Sequence, residues 1–149
     1  MVSNLDKLVY LDAVIKEALK ITPVFPYLLR ITNEPYQLRD YIFPKGTVIS
    51  PCMYLAHHDS ENWTEPHKFM PERFLNSTEN PYTYLPFGSG IRRCIGAAFA
   101  QYEMKIIIAQ ILIHLELKLQ DNYIAKPERK GPVIAPSGGL PVIVKNVLT

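Results

Sequence analysis

Apolar residues recur at helical spacing near the start of the chain. Leu8, Leu11, Ile15 and Leu19 repeat every three or four residues, and Val14 and Ala18 widen the stripe. Residues 5–21 are therefore predicted to form an amphipathic helix. Asp6 and Asp12 fall towards its start and Lys16 and Lys20 towards its end, an order that suits the helix dipole. Pro23 and Pro26 stop it. The pattern then becomes extended. Leu28–Ile31, Tyr36–Leu38 and Thr47–Cys52 read as short strands, separated by Pro35 and the Pro44-Lys45-Gly46 turn. Residues 56–86 are irregular and punctuated by Pro66, Pro71, Pro81 and Pro86, with a helical turn expected near Glu61–Trp63. A loop of that length is uncommon unless it is functional. A second helix is predicted over residues 95–115. Its apolar residues (Phe99, Tyr102, Met104, Ile106, Ile107, Ile108, Ile111 and Leu112) run nearly all the way round, so it should be buried on almost every face. Within residues 116–147, strands are expected near Leu117, Val133 and Ile143, with Gly131-Pro132 and the Ser137–Leu140 loop between them.

The predicted architecture is mainly α with short β-sheets, an α+β arrangement of one domain. It carries a tension: one helix demands burial all round, and the chain offers a single other long helix to cover it. The chain is expected to be incomplete as a packing unit, to pack against something else, or to expose a large apolar patch.

Composition adds modest constraints. The chain has 149 residues, enough for one core, and 48% of them are hydrophobic. Thirteen prolines make about 9% of the chain against a usual ~5%, in keeping with turns and extended segments between two helical ends. A net charge of +2 leaves no global electrostatic footprint for nucleic acid. Two cysteines, Cys52 and Cys94, are too few for a disulfide framework in so short a chain, which points to a reducing setting. The apolar run Ile106–Ile113 contains Gln110 and falls far short of the ~20 residues that span a bilayer. Met1–Asp6 carries no signal-peptide pattern. A soluble, cytoplasmic protein is expected.

The candidate chemistry converges on Cys94, in the segment Phe87-Gly88-Ser89-Gly90-Ile91-Arg92-Arg93-Cys94-Ile95-Gly96. The cysteine stands at the N-terminal end of the second helix, where the dipole and unpaired N–H groups favour a thiolate. Arg92 and Arg93 add positive potential beside it. Gly88, Gly90 and Gly96 permit turns closed to other residues and let backbone N–H groups approach a sulfur. Such hydrogen bonds tune a metal-bound thiolate. Ala97, Ala98 and Ala100 would let a flat, bulky cofactor lie against the helix. Taken singly, each feature also fits a plain loop ahead of a helix with a small buried cysteine. A nucleophile with a histidine base is another option, whereas zinc is disfavoured because Cys52 is the only other thiol and no CxxC or HxxxH spacing exists. His57 and His58 precede Asp59 in a loop and receive no assignment, and Cys52 is expected to be buried and inert.

These ten residues match, at every fixed position, the cysteine-ligand signature F-G-x-G-x-R-x-C-x-G of the cytochrome P-450 family, a highly specific motif. The resemblance implies that Cys94 is the axial thiolate of haem iron, that Arg92 pairs with a haem propionate and that Phe87 shields the sulfur, with Gly88 and Gly96 part of the same cofactor loop. The first helix resembles the family's E-x-x-R helix but reads Glu17-Ala18-Leu19-Lys20, and Pro71-Glu72-Arg73-Phe74 matches its P-E-R-F segment. Glu17, Lys20 and Arg73 would then form a structural triad, with Lys20 unable to make the planar fork of arginine. By the same resemblance Arg30 reaches the propionates, and Val24, Phe25 and Leu140 line the substrate pocket.

The resemblance covers nearly the whole chain but only the C-terminal third or so of the family's fold. It implies haem b as cofactor and a reaction in which one oxygen atom of O2 enters a small apolar substrate. Electrons would come from a ferredoxin or a flavoprotein reductase, docking on a basic face of Arg92, Arg93, Lys45, Lys68 and Lys105. The family's distal A-G-x-D/E-T stretch is absent from this sequence, so the oxygen-activating catalytic residues are not in it and the isolated chain is expected to turn over little or no substrate. The alternative expectation is a non-enzymatic truncated or split-gene fragment that binds haem weakly or only packs against a complementary N-terminal chain.

Overall fold

A computed structural model of the chain describes residues 2–76 and 80–148. A 3-10 turn, Val2–Lys7, precedes α1, Val9–Ile21. The predicted helix of residues 5–21 is thus two elements with a break at Leu8, whose N–H bonds to the Leu5 carbonyl. At the other end the Thr22 N–H closes onto the Ala18 carbonyl, and Pro23 follows, unable to donate the next bond. The face α1 buries follows the apolar stripe read in the sequence only in part, sharing Ile15 with it. Ala13, Ile15, Glu17 and Lys20 are buried, while Leu8 and Ala18 are exposed. Tertiary partners arriving from elsewhere in the chain decide that face.

Four short strands follow: β1 (Arg30–Ile31), β2 (Tyr36–Leu38), β3 (Tyr41–Phe43) and β4 (Val48–Ile49). β1 pairs antiparallel with β4, and β2 with β3 as a hairpin. The region expected to be strand and proline-rich loop also holds a helix, α2, Met53–His58. It is only six residues long, too short to show a period in the sequence. A helical turn does stand before Trp63, whose N–H bonds to the Asp59 carbonyl. Pro71–Phe74 forms a 3-10 turn that packs on α1, with the Tyr10 hydroxyl 3.2 Å from Glu72 Oε1.

α3 spans Ala97–His114, one or two residues inside the predicted limits at each end. The expectation of burial on almost every face does not hold. Ala97 is the one buried residue of this helix, and Phe99 and Leu112 are 70% and 57% exposed. α1 covers one side, held by the Lys105 ammonium 2.6 Å from Asp12 Oδ1. The 3-10 turn Val2–Lys7 also reaches α3 and a strand continues from its end, but much of the helix's apolar surface stays open, and the apolar patch foreseen as the alternative is present. After α3 come β5 (Leu115–Leu119), β6 (Pro127–Lys130), β7 (Val133–Pro136) and β8 (Val142–Val147). β5 pairs antiparallel with β8 through a bulge at Glu116/Leu117, and β6 with β7 as a hairpin turning at Gly131. β6 carries Pro127, Glu128, Arg129 and Lys130, all exposed, so no alternation announced it. No described helix is long and apolar enough to cross a membrane.

Candidate functional site

The cysteine loop is a chain of tight turns. Gly88 has φ +71° and Gly90 φ +67°, a left-handed conformation that side chains disfavour. The Gly88 N–H bonds to the Leu85 carbonyl, Gly90–Arg92 forms a 3-10 turn, and the Cys94 N–H returns 2.9 Å to the Phe87 carbonyl. Cys94 is thereby set just before α3, with Gly96 as the helix's first cap, and its side chain is exposed. A Cβ on Gly96 would stand 3.9 Å from the Cys94 sulfur, and one on Gly88 would meet Leu28 at 3.5 Å. The second contact seats the loop against the segment leading into β1.

The other sequence-predicted residues divide into those that meet and those that stand apart. Ile91, Arg92, Arg93 and Ile95 are exposed around the thiol, and neither arginine pairs with a described residue. Arg30 is exposed on β1, and its guanidinium touches only the neighbouring Leu29 carbonyl, leaving it without a carboxylate. Val24 and Phe25 are exposed on the turn after α1. Leu140 lines a cavity that neither of them lines. Of the expected basic face, Lys68 is paired with Glu65 and Lys105 with Asp12, so those two charges are already answered.

Glu17, Lys20 and Arg73 do come together, with Glu17 and Lys20 fully buried and Arg73 partly so. Arg73 Nε lies 3.1 Å from Glu17 Oε2, while the Arg73 fork donates to the carbonyls of Thr64 and Glu65. Glu17 Oε1 accepts the Met70 N–H. Lys20 takes a different role. Its Nζ is 3.9 Å from Glu17 but donates to the Pro66 carbonyl at 2.7 Å and sits over the Trp63 ring. Desolvation holds the Lys20 pKa below its ordinary value, Glu17 opposes that shift and Arg73 adds to it. Trp63, Phe74 and Tyr84 enclose the cluster with ring centroids 5.1–6.3 Å apart.

His57 is the site-positioning residue that sequence reasoning passed over. It is fully buried on α2, and its Nε2 accepts the Leu85 N–H at 2.7 Å, directly before the cysteine loop. Burial pushes its pKa down to about 4, so it is neutral, the form that can accept. The His57-His58 pair was visible in the sequence, but nothing there distinguished the inward ring from the outward one.

A chain with this loop, this buried triad and this order of elements matches the family model described as cytochrome P450 over residues 1–142. The chain belongs to the cytochrome P450 family. Cytochrome P450 3A7 of Homo sapiens is 41% identical over 115 residues, covering 75% of this chain and 23% of the relative. Cytochrome P450 3A18 of Rattus norvegicus is 35% identical over 142 residues, 93% of this chain and 28% of the relative. Among solved structures, the retinoic acid bound cyanobacterial CYP120A1 superposes with a TM-score of 0.88 at 31% identity, over 98% of this chain and 34% of that one. The cytochrome P450DA heme domain superposes with a TM-score of 0.86 at 25% identity, over 98% and 33%. This P450 chain therefore spans less than a third of the length of those two relatives and has the helix-plus-short-sheet architecture of the corresponding part. Members of the family are haem monooxygenases with haem b as cofactor.

Proposed function

We propose that this chain supplies the thiolate-bearing part of a haem monooxygenase, with Cys94 as the residue that would hold the iron. The observation that carries the reading is the exposed Cys94 side chain, held on glycine turns immediately before α3. The surroundings fit such a group. The exposed faces of Ile95 and Phe99 are apolar, Gly96 leaves the sulfur uncrowded, and Arg92 and Arg30 are cations without carboxylate partners. In this reading Cys94 holds the iron and Phe87 packs beside the sulfur. Gly88 keeps the loop's tight course, and Arg92 and Arg30 take the two propionates. Glu17, Lys20 and Arg73 fix the loop of residues 64–74 against α1, and His57 fixes Leu85 ahead of the ligand loop. Haem b, when bound, supplies the activation of O2, which a thiolate ligand promotes by pushing electron density onto the iron.

The whole protein's reaction would insert one oxygen atom of O2 into a small apolar substrate and reduce the other to water. A ferredoxin or flavoprotein reductase would deliver the electrons near Arg92 and Arg93, in a cytoplasmic setting. Val24 and Phe25 would face the substrate. The distal oxygen-activating groups would come from polypeptide other than this chain. A second reading is favoured by the exposed face of α3. It is a fragment without turnover of its own that packs on a complementary N-terminal chain.

The test is a titration of the purified chain with haemin, followed by reduction and carbon monoxide. A red-shifted thiolate-type Soret band that survives Cys52→Ala and vanishes in Cys94→Ala is expected. A folded chain with no such band would move the assignment to the second reading.

A further inference from the structure

A cavity of about 690 Å³ opens between the end of α1, helix α2 and the β6–β7 hairpin. No residue of the 87–96 loop lines it, so it is a separate place from the Cys94 thiol. Its walls are largely apolar, with Ile21, Ile134 and Leu140 the bulkiest. Its titratable lining groups are Tyr54, His58, His67 and Lys126, and no carboxylate is among them. The two imidazoles stack with centroids 4.8 Å apart. His58 Nδ1 lies 2.8 Å from the Tyr54 carbonyl. A carbonyl can only accept, so Nδ1 carries the proton and Nε2 is left for a ligand. Neither the His67 nor the Lys126 side chain makes a hydrogen bond or ion pair with any described residue. Burial holds the His58 pKa below its ordinary value.

Apolar walls, unanswered bases and no acid together select one ligand chemistry. The volume lies within the roughly 300–1,000 Å³ of small-molecule sites, where apolar burial gives affinity and a few polar groups give orientation. A charged head against Lys126 gains hydrogen bonds about twice as strong as neutral ones. We propose that this cavity binds a small amphipathic anion, a carboxylate on a compact aromatic or alicyclic body. The carboxylate sits at Lys126 and His67, and the body lies against Ile134 and Leu140. The inference does not depend on the haem reading.

The experiment is calorimetric titration of the purified chain with 2-naphthoate and, in parallel, with its uncharged counterpart 2-naphthalenemethanol. Naphthoate is expected to bind at one site per chain, at least tenfold tighter than the alcohol. Lys126→Glu, a surface change that leaves the fold intact by circular dichroism, is expected to abolish that preference. Leu140→Trp fills the cavity and is expected to block both compounds, whereas Leu112→Ser on the apolar face of α3 changes neither. Equal binding of the two compounds, or no binding of either, overturns the proposal. So does a naphthoate affinity that falls in Leu112→Ser and is untouched in Lys126→Glu, which would place the ligand on α3.

Discussion

The carboxylate of Glu17 on α1 meets the guanidinium of Arg73 at 3.1 Å, with Glu17 fully buried and Lys20 buried beside it. One anion thus answers two cations away from water. Glu17→Ala strands both charges and the Met70 N–H, and is expected to cost about 3–5 kcal/mol. Urea unfolding of the two proteins at pH 7 measures it, and a loss under 1 kcal/mol would show that the cluster is not closed in solution.

Lys20 is expected to matter less. It reaches Glu17 only at 3.9 Å and spends its best hydrogen bond on the Pro66 carbonyl. Lys20→Met leaves that carbonyl unanswered, a cost of about 1–3 kcal/mol, but it also removes the second buried cation and leaves the Glu17–Arg73 pair neutral. The expected order of stability is wild type, then Lys20→Met, then Glu17→Ala, read from the same urea midpoints. An inverted order of the two variants would make Lys20 the true partner of Glu17.

His57 makes stability fall in mild acid. Its pKa is about 4 in the folded chain against 6.5 in the unfolded one, so the unfolded state binds the proton first. The stabilisation is complete above pH 6.5 and is lost as pH drops through 4. It amounts to about 3 kcal/mol at one pKa unit per 1.36 kcal/mol. Comparing unfolding midpoints of wild type and His57→Gln from pH 8 to pH 4 isolates this share. Parallel pH profiles for the two would rule it out.

The two thiols should react at different rates. Cys94 is exposed, whereas Cys52 is half-buried with its sulfur 3.5 Å from the Pro26 carbonyl. A disulfide-exchange reagent is expected to modify one equivalent quickly, and that phase should disappear in Cys94→Ala. Gly96→Ala should slow it several-fold with little change in stability, because the new methyl stands beside the sulfur at an ordinary φ of −87°. Gly90→Ala should instead cost about 1–2 kcal/mol, since its φ of +67° excludes a Cβ on conformational grounds.

What the sequence disclosed follows from what periodicity measures. The 3.6-residue pattern located both long helices, and the ten-residue motif located the cysteine loop without any structure. Periodicity reports apolarity, though, and not the partner that arrives. It placed Ile15 inside, as it is, but gave the rest of the inner face of α1 to Leu8, Leu11, Val14, Ala18 and Leu19, whereas Glu17 and Lys20 are buried because Pro66, Met70 and Arg73 come to meet them. It gave α3 burial all round, yet only α1, the 3-10 turn Val2–Lys7 and the adjoining β5 reach it, and Ala97 alone is buried. α2 was missed because six residues between prolines show no period. His57 was missed because burial of one histidine in a pair depends on packing that no local pattern encodes.

Trp63 is the only tryptophan of the chain. Its indole N–H donates to the Ala56 carbonyl on α2, and its face lies under the Lys20 ammonium and near the Arg73 guanidinium. The protein therefore carries an intrinsic fluorescent reporter inside its buried charge cluster. An emission change on unfolding will time the opening of that cluster and of α2.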